Sequence, residues 1–191
     1  WKDTVRISPL EDTIVALRPL VPQNLPWDLP NSVRLLDPSM PEGANIDMGM
    51  VIFDPSGEPV EIVNHYVNFG WEYVWHCHIL SHEEMDMMRP VVVGVNPRDP
   101  SGLTALVDGN GTKKQVILTW IDNSANETHF TLQRAVTATG PWVDLATVPA
   151  DTITYNDPIG NTDQAYYYRV FASNTVGDTA VYAAPSIGFP N

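Results

Sequence analysis

One short stretch of this 191-residue chain concentrates side chains that bind soft metal ions. The only cysteine, Cys77, stands between His76 and His78, and His82 and Met87 follow it by five and ten residues. A thiolate among imidazoles, with a thioether nearby, is the ligand set that copper selects in blue electron-transfer sites. These residue types and their spacing predict a copper centre within residues 75–90.

The residues that lead into this stretch favour a strand. Residues 71–77 are aromatic and β-branched, and successive side chains of a strand point to opposite faces. Cys77 is therefore expected on one face, with His76 and His78 together on the other. This arrangement cannot bind one metal ion without a break in the strand. It can serve two metal centres, with the peptide backbone as a short path for electrons between them.

After His78 the alternation ends and the chain is expected to turn back. Ser81, with an acidic residue three positions later, predicts the start of a helical turn. Such a turn would bring His82 and Met87 to the sulfur of Cys77. A blue-copper site normally needs a second histidine as well. Met88 replaces Met87 as the thioether ligand if the turn shifts by one residue.

Other uses of these ligands remain open from the residues alone. A zinc site formed by Cys77, His78 and His82 agrees with the ligand chemistry of zinc, although zinc rarely takes the thioether found nearby. His65 and His129 are expected to be non-ligands. His65 is still the one candidate for the missing histidine if the chain is a small, self-sufficient electron-transfer protein.

The stretch resembles the C-terminal copper motif of the multicopper oxidases, His-Cys-His-x3-His-x4-Met. The likeness is strongest to the bacterial laccase and bilirubin oxidase branch, in which His-Cys-His-Ile-Leu and Met-Met-Arg-Pro occur in the same order. The opening residues 1–5 also resemble a strand of that branch, so the likeness extends over residues 1–96. It implies an incomplete cupredoxin sandwich.

The resemblance also implies roles for individual residues. Cys77, His82 and an axial Met87 would bind a type 1 copper that accepts electrons from a small reducing substrate. His76 and His78 would bind the two type 3 coppers of a trinuclear cluster, where dioxygen is reduced to water. Cys77, His76 and His78 would then form the catalytic electron bridge between the two copper centres.

The rest of the family's ligand set is not found in this sequence. The family draws further histidines from a His-Pro-x-His-x-His segment and from N-terminal cupredoxin domains, whereas this chain has no second His-x-His pair. It is therefore expected to be a fragment or a subunit, inactive without those domains. Prolines in residues 19–59 exclude a long helix. Short strands are expected near 33–36 and 48–53, and this segment either shapes substrate access or is a surface elaboration.

The sequence changes character after residue 96, where residues 96–102 have the composition of a linker. Short alternating runs separated by turn residues then predict an antiparallel sandwich. Three runs, at residues 118–120, 130–134 and 166–174, resemble the B, C and F strands of a fibronectin type III domain. The resemblance implies that Trp120 is the core tryptophan and that Tyr166 is a buried tyrosine with its hydroxyl bonded to backbone. Trp142 is expected to pack at the sandwich edge.

The predicted fold class is all-β, with a partial cupredoxin Greek-key sandwich at 1–96 and a fibronectin type III-like sandwich at 97–191. Because strands of the first sandwich are missing, residues 1–96 are expected to be marginally stable alone, and residues 99–191 to fold independently. The second domain has the default role of a spacer, docking module or surface attachment.

Composition limits the partners. A net charge of −13 argues against nucleic acid and anionic membranes. No apolar run approaches the roughly twenty residues that span a bilayer. The resemblance implies export to the periplasm or the extracellular space. Asn110 and Asn126 begin Asn-x-Thr matches, which matter only in a eukaryotic secretory route.

Two functional hypotheses follow. The first is the copper-binding part of a laccase-like oxidase whose reductant is a phenol, bilirubin or a metal ion. The second is a non-catalytic extracellular scaffold, in which the cupredoxin part is a remnant and the fibronectin-like part binds a partner.

Overall fold

A computed structural model describes residues 3–20, 25–46, 53, 56–85 and 87–177. The described chain is almost entirely β, as predicted, with one short α-helix and one 3-10 turn. The elements are β1 (Val33–Leu35), β2 (Tyr66–Asn68), β3 (Trp71–His76), α1 (Leu80–Glu83), β4 (Met88–Val93), β5 (Ser101–Asp108), the 3-10 turn (Gly111–Lys113), β6 (Gln115–Ile121), β7 (His129–Ala135), β8 (Val143–Pro149), β9 (Thr154–Pro158) and β10 (Tyr167–Ser173). None of the helices in these ranges is long and apolar enough to cross a membrane.

The first half contains two small antiparallel sheets. β1 pairs with β2, and β3 pairs with β4 from Trp71 opposite Val93 to His76 opposite Met88. The strands predicted at 33–36 and 71–77 are confirmed as β1 and β3, although β3 ends at His76. Most of the strand expected at 48–53 lies outside the described residues.

The strand expected at the start of the chain is wrong for the part that is described. Residues 3–20 contain no strand, and residues 1–2 lie outside the described ranges. Val5 and Ile7 of this segment are 51% and 68% exposed. The physical reason is that a strand needs a hydrogen-bonded neighbour and a face to bury, and these residues have neither.

A buried asparagine organises the loop that follows β1. Asn64 is fully buried, and its side-chain amide donates to the carbonyl oxygens of Asp37, Met40 and Pro41. Its side-chain oxygen accepts the N–H of Asp37 at 2.9 Å. Because every polar atom of the side chain is bonded, the amide holds residues 37–41 of an otherwise irregular segment.

The second half forms two three-stranded sheets, with strand orders β5-β6-β9 and β10-β7-β8. We call residues 101–177 the C-terminal sandwich, with residues 174–177 following β10. The buried residues of β6 and β7 alternate along each strand, as side chains on the inner face of a sheet must. They form one core, which comprises Val116, Leu118, Trp120, Phe130 and Leu132. The core position predicted for Trp120 is confirmed, since it is 4% exposed with its ring 5.7 Å from that of Phe130.

A buried carboxylate connects the two sheets of the sandwich. Asp157 of β9 is 2% exposed, and both of its carboxylate oxygens accept a hydrogen bond from Nη1 of Arg134 of β7, at 3.1 and 2.8 Å. It also accepts the hydroxyl of Tyr168 of β10 at 2.8 Å. The prediction that Tyr166 is the buried tyrosine with a bonded hydroxyl is therefore wrong. Tyr166 is half-buried and lies against the guanidinium of Arg134, 4.5 Å from its ring centre, while Tyr168 makes the hydroxyl bond.

The indole of Trp142 lies beside β8, an edge strand, and the guanidinium of Arg169 stacks on it at 4.4 Å. Edge packing of Trp142, as predicted, is therefore confirmed. Residues 94–100, between the two halves, contain no helix or strand.

Candidate metal centre

The predicted ligands lie at the closed end of the β3–β4 hairpin, which we call the copper-motif hairpin (residues 71–93). The chain leaves β3 at Cys77 and returns through α1 to Met87. Two backbone bonds close this turn: Cys77 N–H donates to the Met87 carbonyl at 3.4 Å, and Met87 N–H donates to the His82 carbonyl at 3.1 Å. The expected reversal after His78 is thus confirmed.

The start predicted for the helical turn is wrong. The residue before α1 is Ile79, which makes no side-chain cap, and Ser81 is the second residue of the helix. The N–H of Ile79 points to the sulfur of Cys77 at 3.5 Å, so the helix begins where this contact places the backbone. A cap at Ser81 would start the turn two residues too late.

Cys77 and His82 meet at one side of this turn. Cys77 Sγ lies 3.6 Å from His82 Nδ1. Two ligands at about 2.3 Å (sulfur) and about 2.0 Å (nitrogen) from a shared tetrahedral metal ion, the lengths known for zinc, lie about 3.5 Å apart. The pair therefore has the spacing of two ligands of one metal ion, and its donor types suit copper.

His76 and His78 form a second pair. Their ring centres lie 4.6 Å apart with the planes tilted by 50°. The Nδ1 atom of His76 lies 3.3 Å from the Cys77 carbonyl and 3.9 Å from the carboxylate of Glu83. A proton on Nδ1 held by these oxygens leaves Nε2 free as a ligand, which is how outer contacts orient metal-binding histidines.

The two methionines differ in their position on the hairpin. Met88 stands directly opposite His76 in the β3–β4 ladder, and directly opposite residues share a face. Met87 is bonded through its backbone to both Cys77 and His82, while its side chain is 55% exposed. The register therefore favours Met87 over Met88 on the side of the sulfur.

The structure does not assemble a complete metal site here. Among the residues described, no third His, Cys, Asp or Glu joins Cys77 and His82 within 4.8 Å. The zinc site from Cys77, His78 and His82 is therefore not formed. His65 does not reach the pair either: its Nδ1 lies 2.6 Å from the carbonyl of Val63. His129 Nδ1 lies 3.0 Å from the hydroxyl of Thr128.

The aromatic residues near the turn form no closed apolar shell. Trp75 of β3 is 61% exposed. Phe69 lies under the guanidinium of Arg34, 3.8 Å from the ring centre, and Arg34 pairs with Glu72 through two bonds of 2.7 and 2.9 Å. The surface around the copper-motif hairpin is thus open, with exposed apolar side chains beside the Arg34–Glu72 ion pair.

One acidic group was not found by sequence reasoning. Carboxylate oxygens of Asp122, Glu127 and Asp151 lie within 4.8 Å of one another. Burial opposes the charge of Glu127, but hydrogen bonds from the Ser124 hydroxyl and the Asp151 N–H outweigh it and lower the pKa of Glu127. Asp122 and Glu127 lie in the loop between β6 and β7, whereas Asp151 follows β8, so no single stretch of the sequence indicates this group.

Comparisons with known proteins bear on the same segment. Residues 51–97, which include all five predicted ligands, match a family model described as multicopper oxidase. A laccase from Bacillus stratosphericus is 53% identical over 36 residues, and a laccase from Bacillus subtilis (strain 168) is 50% identical over 36 residues. Each alignment covers 19% of this chain and 7% of the relative, so the chain matches only a small part of the length of these laccases.

Two solved structures show a limited similarity to part of this chain. A Fn3-like protein from Clostridium thermocellum is 28% identical with a TM-score of 0.37, over 44% of this chain and 82% of that one. A structure of titin domains is 21% identical with a TM-score of 0.36, over 47% of this chain and 31% of that one. The sequence matches, by contrast, support a multicopper oxidase-like cupredoxin segment around Cys77 and a copper oxidase-related function.

Proposed function

We propose that this chain is the electron-entry part of a laccase-like multicopper oxidase. The observation that carries the proposal is the 3.6 Å approach of Cys77 Sγ to His82 Nδ1, with His76 and His78 paired separately beside it. Cys77, His82 and Met87 would hold a type 1 copper, and His76 and His78 would hold the two type 3 coppers.

Copper at these residues would supply one-electron chemistry, with a small reducing substrate on one side and dioxygen on the other. The chain itself contributes the route between them. Cys77 is covalently joined to both His76 and His78, so an electron that enters at the sulfur crosses one residue of backbone to reach either imidazole. The N–H of Ile79 at the sulfur and the oxygens at His76 Nδ1 orient these ligands from outside.

The remaining ligands would come from N-terminal cupredoxin domains. Within the described ranges, the chain brings only one histidine to Cys77, whereas a type 1 site takes two. The open surface around the copper-motif hairpin would lie against those domains. Export to the periplasm or the extracellular space belongs to the same proposal, because the laccase likeness implies it.

The test joins this chain to the N-terminal cupredoxin domains of a laccase and measures blue absorption and oxygen uptake with a phenol. The parent is expected to show both. Cys77→Ser should abolish both, and His82→Gln should remove the blue colour. His129→Gln, in the C-terminal sandwich, is the matched control and should change neither. Blue absorption that survives in Cys77→Ser would contradict the proposal.

The alternative is a non-catalytic extracellular scaffold protein with a remnant copper motif. The incomplete ligand set favours it, since the described residues alone do not close a site around Cys77. In that case the joined protein would bind no copper at Cys77 and take up no oxygen, although its C-terminal sandwich would be fully folded.

A further inference from the structure

The base of the copper-motif hairpin, opposite the copper residues, lies against the C-terminal sandwich. β4 ends at Val93, and two residues later the carbonyl of Val95 accepts two side-chain amides from the sandwich side. Asn126 donates to it at 2.9 Å and Asn174 at 3.1 Å. Asn126 is 7% exposed, so this contact is nearly dry.

Asn174 is the centre of a network that joins three parts of the chain. It exchanges two hydrogen bonds with Asn31, of 2.9 and 3.1 Å. Its side-chain oxygen also accepts the amide of Asn68 at 3.2 Å, and Asn68 donates in addition to the Thr175 carbonyl at 2.8 Å. Asn31 donates further to the Asn126 carbonyl at 2.8 Å.

Close backbone packing accompanies this network. Gly70, just before β3, is buried and has φ +58. A Cβ at Gly70 would stand 2.7 Å from the Val93 carbonyl and 2.8 Å from a methyl carbon of Val176, and a Cβ at Gly94 would stand 3.2 Å from the other methyl carbon. The N–H of Gly177 donates to the Asn68 carbonyl at 2.8 Å. Val176 thus sits in a notch between the two glycines.

We infer that the C-terminal sandwich is a positioning module for the copper site, with Asn31, Asn68 and Asn174 as the positioning residues. An isolated two-stranded hairpin is marginal in water, so the copper-motif hairpin needs support from outside. The side chain of asparagine has separate donor and acceptor atoms, so its hydrogen bonds restrict the relative orientation of the segments that it joins. The network therefore sets the direction of β3, and Cys77 lies at its far end, about 20 Å away at about 3.3 Å per residue.

The positioning of copper by this module rests on the proposed function, whereas the support of the hairpin does not. The test uses the whole chain without metal first. In Asn174→Ala and Asn31→Ala, backbone amides of β3 and β4 are expected to exchange with deuterium roughly tenfold faster, since the hairpin loses bonded partners at its base. Amides of β6 and β7 should be unchanged. Asn156→Ala, at an exposed residue of β9, is the matched control and should leave both regions unchanged.

The second readout is the sulfur-to-copper absorption of the protein joined to laccase N-terminal domains and loaded with Cu(II). Positioning predicts a shifted or weakened band in Asn31→Ala and an unaltered band in Asn156→Ala. A merely structural role would leave the band of the folded protein in place.

Unchanged exchange in β3 and β4 of both variants would overturn the inference, and so would equal acceleration in β6 and β7. An unaltered band together with accelerated exchange would overturn the positioning of copper. A parent without any copper band would count against the proposed function alone, because the exchange rates still show whether the sandwich supports the hairpin.

Discussion

The two halves of the chain bury their apolar side chains to very different extents. The C-terminal sandwich closes two three-stranded sheets over a continuous core, in which Phe130 and Leu132 are completely buried. In the described part of the first half, the buried apolar side chains are Ile46 and Val67. Its two sheets have two strands each, and residues such as Val74 and Trp75 stand more than half exposed.

This difference separates the part that carries the predicted copper ligands from the part that carries the larger buried core. Burial of apolar surface is the main favourable term in folding, so the sandwich has the means to fold by itself. The copper-motif hairpin has ligands but little core, and its order depends on what lies beside it. The asparagine network on one side and the proposed N-terminal domains on the other would provide that support.

The largest effect is expected when the two halves of the chain are expressed separately. Residues 97–191 expressed alone are expected to unfold cooperatively on heating, whereas residues 1–96 alone should show no cooperative transition and should aggregate, because their apolar faces and strand edges are uncovered. Thermal melts followed by circular dichroism measure this. A high, cooperative melt of residues 1–96 would contradict the comparison.

A matched pair of substitutions tests how differently the two halves are packed. Val67 and Val116 are both 5% exposed, one in each half. Val116→Ala should lower the free energy of unfolding of the sandwich by about 2 kcal/mol, since two buried methyl groups are lost from a tightly packed core. Val67→Ala should lower the free energy of unfolding clearly less, because the loosely packed surroundings of Val67 can collapse around the smaller side chain. Urea unfolding of the whole chain, followed by Trp120 fluorescence for the sandwich and by deuterium exchange of backbone amides at β2 for the first half, gives both free energies. Equal losses of stability would show that the two environments are equally well packed.

The smallest expected effect is a loss of stability at alkaline pH, confined to the C-terminal sandwich. Burial, and then the bond to the Asp157 carboxylate and its negative charge, raise the pKa of Tyr168 above its ordinary value of 10.0. The folded state therefore keeps a proton that the unfolded state releases. This contribution is fully present below pH 10 and is lost as the pH rises further, by up to about 1.4 kcal/mol per pH unit.

Urea unfolding at pH 9, 10 and 11 measures this loss. Tyr168→Phe is expected to be less stable at neutral pH and to lose less stability between pH 10 and 11 than the parent. Tyr167→Phe, at an exposed neighbour on β10, is the control and should behave as the parent does. Parallel pH profiles for the parent and Tyr168→Phe would refute this origin of the pH dependence.

Local sequence patterns predicted local structure well. The aromatic and β-branched residues of 71–77 predicted β3, and the alternation in 115–121 and 130–135 predicted β6 and β7. The end of alternation after His78 predicted the turn that brings His82 back to Cys77. These features depend on the period of the chain over a few residues, which the sequence carries directly.

Choices between neighbouring residues depended on partners distant in sequence. Tyr166 and Tyr168 lie two residues apart on adjacent positions of one face, and the location of Asp157 on β9 selected Tyr168. Asn126, which begins an Asn-x-Thr match, holds its amide in a bond to Val95 instead of offering it to solvent. Neither outcome has a signal in the residues around it.

The sequence by itself determined that this chain carries a copper-type ligand set, and it predicted Cys77 on one face and its two neighbouring histidines on the other. That followed from residue types and from the two-residue period of a strand. The tertiary structure decided that Cys77 meets His82 but no third His, Cys, Asp or Glu ligand among the described residues, and that asparagines 31, 68 and 174 lie together at the base of the hairpin. Contacts between segments this far apart are set by how separate elements pack, and packing is a property of the whole fold.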